Sequence, residues 1–112
     1  MANSQELPIE QKLTVIVRVE PGCLGPDGKD HIEDFCQYTL GKVVGVDAEF
    51  VHWDITPRYD KALPELEYKI HHKKLPTQKA SRYLEIHQRN IDDFEDELHT
   101  NLEIYIGEFL KH

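Results

Sequence analysis

Cys23 is the residue whose type and setting first invite a chemical reading. It sits in Pro21-Gly-Cys-Leu-Gly-Pro-Asp-Gly-Lys29, nine residues with three glycines and two prolines, directly after an apolar alternation. A thiol exposed in such a loop before a helix becomes a nucleophile when its thiolate is favoured. Several residues separate it from the helix start, however, and no Cys-x-x-Cys motif accompanies it, so the reading is a reduced thiol with no catalytic role. Cys36 falls on an apolar helical stripe, where a small hydrophobe is wanted. Two cysteines without a secretory leader point to a reducing compartment.

The seven histidines raise the question of a metal. Their spacing answers against one. His71 and His72 are adjacent in an alternating segment and project to opposite faces of a strand, which prevents joint chelation. His31 and Cys36 lie five apart, off a common helical face. Glu95, His99 and Glu103 do align at i, i+4 and i+8, with Asp96 three residues before His99. A bundle site needs a second such helix, and the first helix offers only Glu33 and Asp34. We expect neither metal nor cofactor, and a solvated acidic face on this helix.

A third constellation lies on the outer face of the expected sheet: His52 and Asp54, then Glu67, Lys69 and His71, then Tyr83, Glu85 and His87. In a cleft of lowered dielectric such groups do acid-base work; on a flat wet sheet they form weak cross-strand pairs. Phe50 and Ile16 give that face an apolar centre, the anatomy of a contact surface and of a possible homodimer, unless Leu7 and Ile9 fold back over it.

Charge is unevenly placed. Lys69 to Arg82 holds five of the 13 basic residues and no carboxylate, in a chain of net charge -8. We read Lys73, Lys74, Lys79 and Arg82, with His71, Tyr83 and His52, as a binding surface. The overall charge repels a phosphate backbone, so the expected partner is a protein or a small anionic ligand and not nucleic acid.

These groups are positioned by a small set of elements. Leu13 to Val19 alternates as a strand, and Asp30 with Glu33 reads as a capping box opening a helix from about His31 to Gly41 or Val44, with Gly41 and Gly45 as its stop. Ala48 to Thr56 makes a second strand, with Val51, Trp53 and Ile55 on one face. Glu65 to Lys73 makes a third, Pro76-Thr77-Gln78 a turn, and Lys79 to His87 a fourth strand paired so that Lys69 faces Glu85, His71 faces Tyr83 and Glu67 faces His87. Asn90 caps a long final helix with Asp92 and Asp93 in its first turn.

The expected fold is an α+β two-layer sandwich of β-α-β-β-β-α order, a mostly antiparallel four-stranded sheet with two helices on one face. One domain spans residues 1–112, with 1–11 as a flexible leading segment. No run approaches the roughly 20 apolar residues of a membrane span, and we expect a cytoplasmic protein. The functional expectation is a non-enzymatic interaction or regulatory module. Anion binding by the basic 69–82 hairpin is the alternative, and an enzyme using Cys23 or the sheet histidines comes third.

Overall fold

The computed structural model describes residues 7–111. Four strands, β1 (Leu13–Val19), β2 (Val51–Pro57), β3 (Leu66–Ile70) and β4 (Lys73–Leu75), form one sheet in the order β2-β1-β3-β4. Three helices accompany them: α1 (Gly28–Val43), α2 (Thr77–Ile86) and α3 (Ile91–Leu110). The result is an α+β fold with a mixed sheet, because β1 runs parallel to β2 while the β1–β3 and β3–β4 pairings are antiparallel.

Alternation in β1 explains its central place. Leu13, Val15, Val17 and Val19 are all 6% exposed or less and enter the core with Val51, Trp53, Ile55 and Tyr68. Aromatic contacts tie α3 to this layer and the helices to each other: Trp53 stacks on Phe94 of α3 at 5.6 Å, and Phe35 of α1 meets Phe109 of α3 edge-on at 5.3 Å. Each buried ring of this size contributes about 1.5–3 kcal/mol. The polar ends of the core aromatics are satisfied, as burial demands. Trp53 Nε1–H donates to the Val46 carbonyl at 2.8 Å, and the Tyr68 hydroxyl donates to Glu95. Asn90 caps α3 as expected, its Oδ1 accepting from the Asp92 and Asp93 amides.

The expected fourth strand, Lys79 to His87, is a helix. In so short a segment period 2 and period 3.6 compete, and the helical set Ala80, Tyr83, Leu84 and His87 wins because Ala80 and Leu84 are fully buried while Ile86 is 76% exposed. Gln78, Lys79, Ala80, Arg82 and Glu85 are also helix formers. The pairings Lys69–Glu85, His71–Tyr83 and Glu67–His87 therefore do not exist. The actual hairpin turns at His71-His72, with φ of 54° and 65°, and sets Lys69 opposite Lys74. A two-residue turn with both residues left-handed matches the sheet twist, but glycine or asparagine normally marks it, so two histidines conceal it.

Smaller corrections follow from local contacts. α1 starts at Gly28 instead of His31, after Asp27 and without a side-chain cap bond, so the Asp30–Glu33 capping box is not the start signal. Gly41 lies inside α1. β2 begins at Val51, since residues 44–50 are a turn. Of the leading segment, residues 1–6 lie outside the described residues. Residues 7–11 are tied down: the Leu7 amide donates to the Glu49 carbonyl and Ile9–Gln11 forms a 3₁₀ turn. Among the described residues no helix is long and apolar enough to cross a membrane.

Candidate functional site

Two clefts flank the central strands. The first, of about 270 Å³, opens between the ends of β1 and β3 and the middle of α3. Its walls are Val17, Val19, Leu66, Leu98, Leu102 and Ile106, with Arg18, Glu20, Cys23, Glu65, His99 and Glu103 completing it. The walls continue the core stripe of β1 and α3, and α3 leaves this part of the stripe uncovered: Leu98 is buried while Leu102 and Ile106 are only half-buried.

Cys23 reaches this cleft because its turn is held from both sides. Pro21–Leu24 is a 3₁₀ turn whose Leu24 is buried. Gly28 lies so close beneath it that a Cβ there would sit 1.8 Å from the Pro21 carbonyl oxygen. Gly25 adopts φ 98°, open to glycine and strained for other residues. Glu20, at the mouth, accepts from Arg58 at 2.6 Å, and Arg58 also donates to the Leu63 and Lys61 carbonyls, fixing the 58–63 connection. Cys23, His99 and Glu103 thus share one cleft, the residue types of a thiol with a base, although no hydrogen bond joins them among the described residues. The carboxylate line of α3 is divided between two tasks: Glu95 serves Tyr68, while His99 and Glu103 face the cleft. Burial, together with that bond to Glu95, pushes the Tyr68 hydroxyl well above its ordinary value. Among the described residues no group of three or more His, Cys, Asp or Glu is disposed to hold a metal ion.

The second cleft, of about 340 Å³, lies over the opposite face of the sheet. It is lined by Ile9, Glu10, Thr14, Ile16, His52, Asp54, Lys69, His71 and His72. Strand register explains the convergence, since His52, Thr14, Lys69 and Lys74 form one row across four strands and Asp54, Ile16 and Glu67 the next. Glu67 is 9% exposed and is neutralised by Arg18 at 2.9 Å, with Lys74 at 3.9 Å. The expected apolar centre of this face is absent. Ile16 is 5% exposed and Phe50 8%, the latter covered by the His87 ring at 4.4 Å, which removes the argument for a homodimer through it.

The residues singled out from sequence are dispersed. His52 and His71 line the second cleft. Tyr83 is on α2, its hydroxyl within 2.9 Å of the Gln11 carbonyl and 3.0 Å of the Phe50 carbonyl, anchoring that helix to the starts of β1 and β2. Lys79 and Arg82 line a shallow cleft with Gln78, Ser81 and Glu85, in which neither Lys73 nor Lys74 takes part. Lys73 and Lys74 occupy a three-residue edge strand followed by Pro76, where lysine and proline discourage pairing with another chain. Sequence reasoning missed Arg18, Leu102 and Ile106. For the last two the signal was present in the helical spacing of Leu98, Leu102 and Ile106 on α3.

No protein-family model matches this chain, and no curated protein or solved structure matches it either.

Proposed function

We propose that this protein is a non-enzymatic interaction module that receives one large apolar side chain of a partner polypeptide in the first cleft. The observation supporting this reading is the uncovered part of the core stripe, formed by Leu66, Leu102 and Ile106 beside the end of the sheet ladder. The Arg18 amide donates to the Glu65 carbonyl, so alternation turns the backbone groups of Leu66 away from β1. β4 ends at Leu75, opposite Tyr68, and stops short of Leu66. An extended segment can therefore continue the ladder there while dropping a side chain into the cleft.

Size and charge narrow the partner. The volume of about 270 Å³ is slightly below the roughly 300–1,000 Å³ of typical small-molecule sites. It suits a single anchor. One such anchor contributes about 1.5–3 kcal/mol, short of the roughly 8 kcal/mol of a micromolar complex, so the rim must add to it. Arg18 is engaged by Glu67 and Glu20 by Arg58, leaving Glu65 and Glu103 as the rim carboxylates with no ion pair among the described residues. With a chain charge of -8, this favours an anchor flanked by lysine or arginine.

Selection from a random dodecapeptide display library tests the reading. Enriched peptides should share a large apolar residue next to a basic one, bind more weakly as salt rises, and shift the amide resonances of Leu66, Leu102 and Ile106. Leu102→Glu should reduce binding at least tenfold while Lys74→Glu leaves it unchanged. Equal binding by Leu102→Glu, or shifts confined to other surfaces, would remove the proposal.

A further inference from the structure

The second cleft collects titratable groups that have no structural task. Lys69, His52, His71, His72, Asp54 and Glu10 all line it, and none makes an ion pair or a side-chain hydrogen bond among the described residues. Their neighbours in the next row are different: Glu67 is held by Arg18 and approached by Lys74. The cleft's own charges are thus left for something else. They consist of one ammonium against two carboxylates, plus three imidazoles.

The turn adds a second argument. His71 and His72 both adopt left-handed backbone geometry, φ 54° and 65°, where asparagine and glycine fit without strain. A turn chosen for stability has no use for two imidazoles at these positions. Strained residues of this kind concentrate where side-chain chemistry is needed, and here they stand at the lip of a cleft that a third imidazole, His52, lines from β2.

We propose that this cleft is a pH-gated binding site for a small oxyanion of the phosphate class. With the imidazoles neutral, Lys69 shares the cleft with Asp54 and Glu10, and the cleft carries a formal charge of about -1 that repels an anion. Imidazole is the side chain that changes charge between pH 5 and 8. Protonating all three brings the cleft to about +2, counting every charged group that lines it. Lys74, opposite Lys69, adds to the positive side of this row, while the Arg18–Glu67 pair is neutral. The Lys69 ammonium, the imidazolium N–H groups and the Thr14 hydroxyl are point donors on several sides of one cavity. A tetrahedral oxyanion can accept from several of them at once. Asp54 and Glu10 set the negative baseline that the imidazolium charges must outweigh before an anion is held.

Amide and imidazole resonances followed by NMR during titration with sulfate and with inorganic phosphate, at pH 5.5 and 7.5 and constant ionic strength, test the site. Sulfate stays a dianion throughout, so it separates the protein's titration from that of phosphate; phenyl phosphate in a third arm distinguishes a free ion from a phosphomonoester. Saturable shifts at Thr14, His52, Lys69, His71 and His72 are expected at pH 5.5, with affinity at least tenfold weaker at pH 7.5 for sulfate as well as phosphate. The double variant His71→Asn/His72→Gly supplies the residues the turn prefers. It should melt higher than the parent yet bind at least fivefold more weakly at pH 5.5, and Lys69→Gln should lose affinity at both pH values. Absence of saturable shifts at pH 5.5, equal sulfate affinity at the two pH values, or undiminished binding by the double variant would overturn the proposal.

Discussion

The two clefts border the same two strands and differ in what was left undone around them. At the first, core packing stops short: the apolar wall of Leu66, Leu102 and Ile106 continues the buried stripe but nothing closes over it. At the second, packing is complete, with Ile16 at 5% exposure beneath the polar groups, and it is charge pairing that stops short. Exposed apolar surface and uncompensated charge are each unfavourable, but they respond to different conditions. The first invites a partner whose contribution varies little with pH, the second a ligand whose binding follows proton activity.

The largest expected effect tests whether the two faces are as unequal in stability as this comparison requires. Phe94→Ala, which removes the ring stacked on Trp53 at 2% exposure, should cost about 3–5 kcal/mol. His52→Ala on the exposed face should stay within about 0.5 kcal/mol. Chemical denaturation measures both. Similar losses would mean that His52 has a packing role and that the polar cleft is part of the scaffold.

A smaller effect sharpens the placement of Cys23. Gly28→Ala puts a methyl group 1.8 Å from the Pro21 carbonyl oxygen, a backbone atom that cannot swing aside. The Pro21–Leu24 turn must then move, at about 1–3 kcal/mol. The shift should disturb the amide resonances of Cys23 and Leu98 at the first cleft while those of His52 and Lys69 stay in place. Disturbance of both sets would show that the clefts are mechanically linked through β1.

The smallest stability effect concerns the thiols. Burial, and next the Glu33 carboxylate, push Cys36 from 9.0 up to about 11, while Cys23 is exposed. At pH 8 the native Cys36 therefore holds roughly a hundredth of the thiolate of an ordinary thiol. A thiol reagent should label Cys23 promptly and Cys36 at least about 100-fold more slowly; equal rates would mean that α1 opens freely. The linkage has a definite sign. Cys36 keeps its proton longer in the folded than in the unfolded chain, so its share of stability is intact below about pH 9 and lost as pH rises through 9 to 11. Tyr68 is shifted in the same direction and extends the loss to higher pH. Cys36→Ala should flatten the lower part of that decline in a melting series.

Much of the scaffold was legible from periodicity. β1, the apolar stripe of α1 and the Asn90 cap of α3 each follow from side-chain spacing and local hydrogen bonding, interactions between residues near one another in the chain. The α2 segment was not legible, because Leu84 and Ile86 fit a strand while Ala80 and Leu84 fit a helix, and ten residues are too few to decide between the two periods. The hairpin was hidden for a related reason: His71 and His72 lack the glycine or asparagine that announces their geometry. With the turn misplaced, the register went with it, and so did the grouping of Tyr83, Glu85 and His87 with the sheet.

By itself, then, the amino-acid sequence determined which residues must be hidden and how strongly charge is segregated, since hydrophobicity, helix capping and formal charge are properties of side chains and their near neighbours. Only the tertiary structure decided which side chains meet. Thr14, His52 and Lys69 come from three strands and Cys23, His99 and Leu66 from a turn, a helix and a third strand, so their convergence rests on strand order, on the parallel pairing of β1 with β2 and on where β4 ends. Those are long-range choices, set by the packing of Trp53, Phe94 and Phe35 in one core, and no local spacing records them.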